Sequence, residues 1–208
     1  MRKKARYRTR EALVALVGER GYEATALEAV LERAGVEADE FGREFASFES
    51  CCVEVWQELA REFVERTEAA YARGGNWREG VRRQAWELCH LIVEDHARTR
   101  FLVEISLAEE LAAANRDAVM SRFADVIHRG RFERPEAAGI PRARAEAIVG
   151  AVWEGVGAHL KAGNLDALPE GVPQILYLTM APYLGIEAAE EEVRRGPDDL
   201  ARYRSGDL

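Results

Sequence analysis

A chain of 208 residues, 48 % hydrophobic and 32 % charged, holds enough apolar material for a sizeable core, either as one large domain or as a small domain joined to a larger one. Its net charge of -8 is the wrong sign for a protein that coats nucleic acid, so any DNA binding must rest on a local basic feature. No run of about 18 apolar residues is present, and the basic start Met1-Arg-Lys-Lys leads into no apolar stretch, so neither a membrane span nor a signal peptide is expected.

The first ten residues carry Arg2, Lys3, Lys4, Arg6, Arg8 and Arg10 and no acid, which reads as a basic arm ahead of the first helix. That helix is expected from about Thr9, burying Leu13, Leu16 and Val17, and closing at Gly21, where glycine can turn left-handed. Thr25 and Glu28 have the spacing of a capping box for a second, short helix. Leu27, Val30, Leu31 and Ala34 give that helix one buried face, and it ends at Gly35. Val36 is expected to plug the core at the turn, and a third short helix points Phe41 and Phe45 inward. Two short helices joined by a tight glycine turn, with a third packed across them, describe a helix-turn-helix.

Helical periodicity continues to the end, so the fold class is all-α: a three-helix helix-turn-helix followed by a bundle of about six helices. A long helix follows Ser47, with Cys52, Trp56, Leu59 and Phe63 on one stripe, and breaks at Arg73-Gly-Gly-Asn76. Asn76 can cap a helix that buries Val81, Ala85, Leu88 and Ile92. Helices are then expected over about 97–107 and 111–131, a Pro- and Gly-bearing loop over 132–141, apolar helices over 142–161 and 173–184, and a short acidic helix over 187–195.

From Thr9 to about Leu59 the chain resembles the tetracycline-repressor (TetR) family of transcriptional regulators. Gly21-Tyr-Glu-Ala-Thr25 is similar to that family's link between its first two helices, and Glu32-Arg-Ala-Gly-Val36 to its turn. Phe41 and Phe45 fall where its third helix carries apolar residues, and Ser47 and Glu49 where its fourth helix opens. The stretch Leu176–Gly185 resembles the dimerising ninth helix of many members. The resemblance implies a cytoplasmic homodimer that reads a palindromic double-stranded DNA operator in successive major grooves and answers a small-molecule effector of unknown identity. It divides the chain into a DNA-binding domain, residues 1–50, and an effector-binding and dimerisation domain, residues 51–208. The expected DNA-contacting set is Arg2, Lys3, Lys4, Arg6 and Arg8 of the arm, Thr25, and Glu37, Ala38, Asp39, Gly42 and Arg43 of the third helix.

The third helix departs from the family pattern. It reads Glu37-Ala-Asp-Glu-Phe-Gly-Arg-Glu44, with Arg43 its one cation, and Phe48 stands where a lysine is common. Carboxylates repel the phosphate backbone, although one can accept a hydrogen bond from cytosine N4. Two readings stay open: a ligand-responsive regulator, most simply a repressor, whose arm supplies backbone contacts, or a ligand- or protein-binding module on the same fold that no longer binds DNA well.

The effector pocket is expected among Phe63, Trp86, His90, Phe101, Glu104, Phe123, Trp153 and His159, each of which also fits an ordinary core. The eighth helix is rich in small residues, and a glycine inside a helix costs roughly 1 kcal/mol against alanine, so close approach by a second helix is the reason expected for them. The dimer surface is placed at Gly150, Glu154 and Gly157 with Leu176, Met180 and Tyr183 of the ninth helix. Cys51, Cys52 and Cys89 have neither metal-ligand spacing nor a disulfide pattern, and Cys51 is expected to be partly exposed beside a buried Cys52. No nucleophile-and-base set and no phosphate-binding glycine motif occurs, so no enzyme activity, metal or cofactor is expected.

Overall fold

The computed structural model describes residues 2–205; the side chains of Arg2 and Lys3 lie outside the described part. Among the described residues there are ten α-helices and no strand. They are α1 (Arg2–Arg20), α2 (Leu27–Ala34), α3 (Ala38–Glu44), α4 (Phe48–Ala72), α5 (Trp77–Glu94), α6 (His96–Ala108), α7 (Glu110–His128), α8 (Arg142–Ala162), α9 (Leu168–Leu184) and α10 (Ile186–Ser205). No helix is long and apolar enough to cross a membrane among the described residues.

Packing divides the chain into two compact units: Met1–Glu62 with Asp95–Asp117, and Phe63–Glu94 with Ala118–Leu208. In the first unit α1 packs on α2, α3 and α6. Its core joins Leu13 and Val17 of α1, Val30, Val36, Phe41 and Phe45 of the helix-turn-helix, and Phe101 and Ile105 of α6, all buried. Gly18 lets α1 and α6 touch, because a Cβ there would lie 2.4 Å from the Ala97 Cβ. The α1 end is tied further to α6 by the Tyr22 N–H, which donates to Glu104 Oε2 at 2.7 Å, and by Arg100, which donates to the Gly18 carbonyl.

The first helix begins at Arg2, seven residues before the expected start at Thr9, so the basic segment is helical rather than an arm. Ala5 and Thr9 explain it: both are buried and extend the stripe of Ala12, Leu13 and Leu16 by one and two turns. The capping box is also absent. Ala26 is the residue ahead of α2, with no side-chain cap, and the Thr25 hydroxyl donates backwards to the Gly21 carbonyl at 2.7 Å. The cap expected at Asn76 does form, with the Glu79 N–H donating to Asn76 Oδ1, and ahead of α4 the Ser50 N–H donates to Ser47 Oγ.

In the second unit, α9 is the central element, packed against α5, α8 and α10. It starts at Leu168, so Pro173 lies inside it rather than at its start. α10 is long, not short, and continues past Pro197 to Ser205. Gly196 accounts for part of its fit, since a Cβ there would come within 2.6 Å of the Pro173 ring. The core around α9 holds Trp77, Val81, Trp86, Cys89, Leu176, Met180 and Tyr183.

Candidate functional site

The helix-turn-helix is built by α2, Gly35 and α3. Gly35 has φ 58° and ψ 46°, the left-handed region that favours glycine, and the Val36 N–H reaches back to the Leu31 carbonyl at 3.1 Å. That closure aims Val36, Phe41 and Phe45 inward, as expected from the sequence, and leaves Glu37, Ala38, Asp39, Gly42 and Arg43 exposed. Arg43 forms no ion pair among the described residues. Thr25, expected near a phosphate, is instead buried with its hydroxyl committed.

The cations of α1 are largely taken up within the chain. Arg6 donates to Glu58 at 2.7 Å and lies 3.0 Å from Glu54, and its guanidinium stacks over the Phe45 ring. Arg10 meets Glu62 at 2.9 Å and Glu58 at 3.6 Å. Arg8 donates to the Gly35 carbonyl, bracing the turn, and lies 4.0 Å from Glu40. Lys4 stays exposed. Because the segment is helical, Arg6 and Arg10, one turn apart, both point at the α4 carboxylates Glu54, Glu58 and Glu62. Sequence reasoning had the charges but not the helix that pairs them.

The eight residues expected to line one effector pocket do not all meet in one place. Phe101 is wholly buried in the core of the first unit, and Glu104 is held there by the Tyr22 N–H and by Arg100. Phe123 packs against the small cluster of Ala124, Ala145 and Val149, and Phe63 and Trp153 are half-buried. Trp86 is buried and His90, one turn on, is exposed, and both border a second cleft of the same unit, between α5 and α10. Only His159 borders the apolar pocket of the second unit.

That pocket, about 330 Å³, lies between α5, α8 and α9. Leu88, Cys89 and Ile92 form one wall, Val152, Gly155 and Val156 a second, and Val172 and Ile175 a third. Its polar side chains are Gln174 and His159. His159 Nδ1 lies 3.0 Å from Asn164 Oδ1 and 3.2 Å from the Asn164 carbonyl oxygen, close enough to donate to both. A mostly apolar chamber with few polar groups suits a small organic ligand. Of the residues that do line it, Ala85, Leu88 and Ile92 were assigned to the core by the same periodicity that makes them a pocket wall.

The expected dimer surface is corrected at three positions. Leu176, Met180 and Tyr183 are buried in the chain's own core, where Tyr183 packs edge-on to Trp77 at 5.4 Å, so no second copy can reach them. The exposed residues of α9 are Glu170, Gly171, Gln174 and Leu178, the last 56 % exposed. On α8, Gly150, Gly155 and Gly157 each face open space, and Ala151, Glu154 and Ala158 are exposed.

All three cysteines are buried and free, Cys51 included, against the expectation of partial exposure. Burial pushes the Cys51 and Cys89 thiols up to about 12 and Cys52 higher still, so none is a ready thiolate. No cluster of metal-ligating side chains occurs among the described residues.

No protein-family model matches the sequence, and no curated protein is significantly similar to it. Solved structures are similar in fold. A TetR family transcription regulator from Marinobacter aquaeolei shares 17 % identity at a TM-score of 0.66, over 86 % of this chain and 95 % of that one. FadR from Bacillus subtilis, in complex with stearoyl-CoA, shares 16 % at 0.68, over 86 % and 98 %. NalD, the secondary repressor of the MexAB-OprM multidrug efflux pump in Pseudomonas aeruginosa, shares 19 % at 0.63, over 87 % and 96 %. The chain therefore has the fold of TetR-type regulators.

Proposed function

We propose that the chain is a ligand-responsive, DNA-binding transcriptional regulator of the TetR type, acting as a homodimer and most simply as a repressor. The observation that carries this reading is the exposed edge of α3. Ala38, Asp39, Gly42 and Arg43 are turned outward by a left-handed turn at Gly35, while Phe41 and Phe45 anchor the same helix in the core. Residues 1–50 are the DNA-binding part in this reading, with Lys4, Arg8, Glu37 and Arg43 at the duplex, and residues 51–208 hold the effector and the second copy. The apolar pocket beside His159 takes a small, mostly apolar effector. FadR of B. subtilis, a neighbour in fold, is solved with stearoyl-CoA, which supports an apolar ligand class for such a bundle. The bare flank of α8 at Gly150, Glu154 and Gly157, with Leu178 of α9, suits a two-fold helix pairing.

One specific observation favours the second reading, a ligand- or protein-binding module with little DNA affinity. Arg6 and Arg10 already face Glu54, Glu58 and Glu62, and α3 itself is acidic. Selection of bound sequences from a random duplex pool, at low and at physiological salt, separates the two. Enrichment of a palindrome that is weakened by Arg43→Ala establishes the regulator; a folded chain that enriches nothing at either salt establishes the module.

A further inference from the structure

We propose that the chain binds a small aromatic acid, a flat ring bearing a carboxylate, in a second cleft that lies between α5, α10 and the last turns of α4. The cleft, about 290 Å³, shares no residue with the apolar pocket. The proposal stands apart from the regulatory reading, since it concerns the second unit alone and does not depend on DNA binding.

Charge comes first. In a chain of net charge -8, this cleft gathers six arginines, Arg66, Arg73, Arg82, Arg83, Arg195 and Arg202, against the three carboxylates Glu79, Glu87 and Asp199, an excess of three positive charges on its lining. Several of these cations are committed. Arg82 is held by Glu192, Arg66 by Glu87, and Arg83 by Glu79. Two are not. Arg73 is exposed and forms no ion pair among the described residues, and Arg195 reaches Asp199 only at 3.9 Å. Burial pushes the Asp199 carboxyl above its ordinary pKa, against the opposing charges of Arg195 and Arg82.

Shape and ring chemistry then narrow the ligand. Trp86 and Tyr203 meet at 5.4 Å with their planes tilted by 33°, and the His90 ring stands edge-on to Tyr203 at 6.0 Å. All three border the cleft, so it offers an aromatic side as well as guanidinium forks. A lone phosphate or carboxylate would fill only part of the volume and leave the aromatic side without a partner. A ring with a carboxylate uses both: the ring lies against Tyr203 and His90, and the carboxylate takes a planar fork from Arg73 and Arg195.

The test is isothermal titration calorimetry of the full chain with 2-naphthoate. Saturable binding of one naphthoate per chain is expected. Arg73→Ala together with Arg195→Ala, two exposed positions, should weaken it about tenfold or more, with far-UV circular dichroism and the thermal midpoint confirming the fold. Gly155→Leu, which fills the apolar pocket, should leave it unchanged, and the uncharged 2-naphthalenemethanol should not bind at the same concentration. The proposal is overturned by absence of saturable binding, by indifference to the double arginine variant, by loss of binding in Gly155→Leu, or by inorganic phosphate competing as well as naphthoate does.

Discussion

Arg82 and Glu192, 110 residues apart in sequence, meet through two nearly parallel hydrogen bonds, Nε to Oε2 at 2.7 Å and Nη2 to Oε1 at 2.6 Å. Both are buried, and Arg78 adds a third bond to the same carboxylate at 2.6 Å. Burial alone would raise the Glu192 pKa, but the hydrogen bonds and charges of Arg82 and Arg78 outweigh it and hold the carboxyl below its usual range. A depressed carboxyl contributes stability above its unfolded pKa and loses it as pH falls through the folded one. Glu192→Gln is therefore expected to destabilise the chain by about 3 kcal/mol near neutral pH, because it leaves two guanidiniums short of a counter-charge in a buried place. Urea melts at a series of pH values check this: the gap between variant and parent should shrink as pH drops below about 4.5, the ordinary value for this carboxyl. A gap that is constant with pH would show that packing, not charge, is what Glu192 supplies.

Gly18→Ala tests the close approach of α1 and α6. The added Cβ would lie 2.4 Å from the Ala97 Cβ and 2.8 Å from its Cα, so backbone has to move. A loss of about 1–3 kcal/mol is expected from overpacking, despite alanine's better helix propensity. Ala97→Gly in the same chain should recover part of it, and a double-mutant cycle by thermal denaturation measures how much.

Leu178→Glu should abolish self-association if α8 and α9 form the seam between two copies, since it places a charge on a 56 % exposed apolar position and touches no core. Sedimentation equilibrium reads this directly. Tyr183→Ala, by contrast, should unfold or loosen the monomer, because Tyr183 is fully buried against Trp77.

Glu58→Gln should raise affinity for random-sequence duplex DNA at low salt. Glu58 faces both Arg6 and Arg10, so its neutralisation frees cations of α1 for phosphates. The slope of log affinity against log salt is expected to steepen by about 0.9 for each cation that gains a phosphate. An unchanged slope would place α1 away from the duplex.

How far the sequence carried differs between parts of the molecule. The turn at Gly35 and the inward Val36, Phe41 and Phe45 were legible because left-handed glycine and helical spacing are local signals. The start of α1 was not, because its evidence is a contact: Ala5 and Thr9 earn their helical place only by burial against the rest of the unit. The fate of the basic segment followed from that error, since a helix fixes which α4 carboxylate each arginine meets. In α9, periodicity located an apolar face but could not say which copy of the chain covers it; α5, α8 and α10 do, which removes Leu176, Met180 and Tyr183 from any outer surface. Pocket residues were the least legible, because a chamber wall and a filled core use the same side chains.

One helix, α8, has the apolar chamber on one flank at Val152, Gly155 and Val156 and bare glycines on another at Gly150 and Gly157. Interiors are stiff, so a ligand that widens the chamber has to displace this rod rather than indent it. Were a second copy seated on the bare flank, it would feel that displacement directly. Occupancy of the first chamber would then bias the second, with a coupling on the order of 1–3 kcal/mol, and titration of the dimer would give a sigmoid or a two-step curve instead of a simple hyperbola.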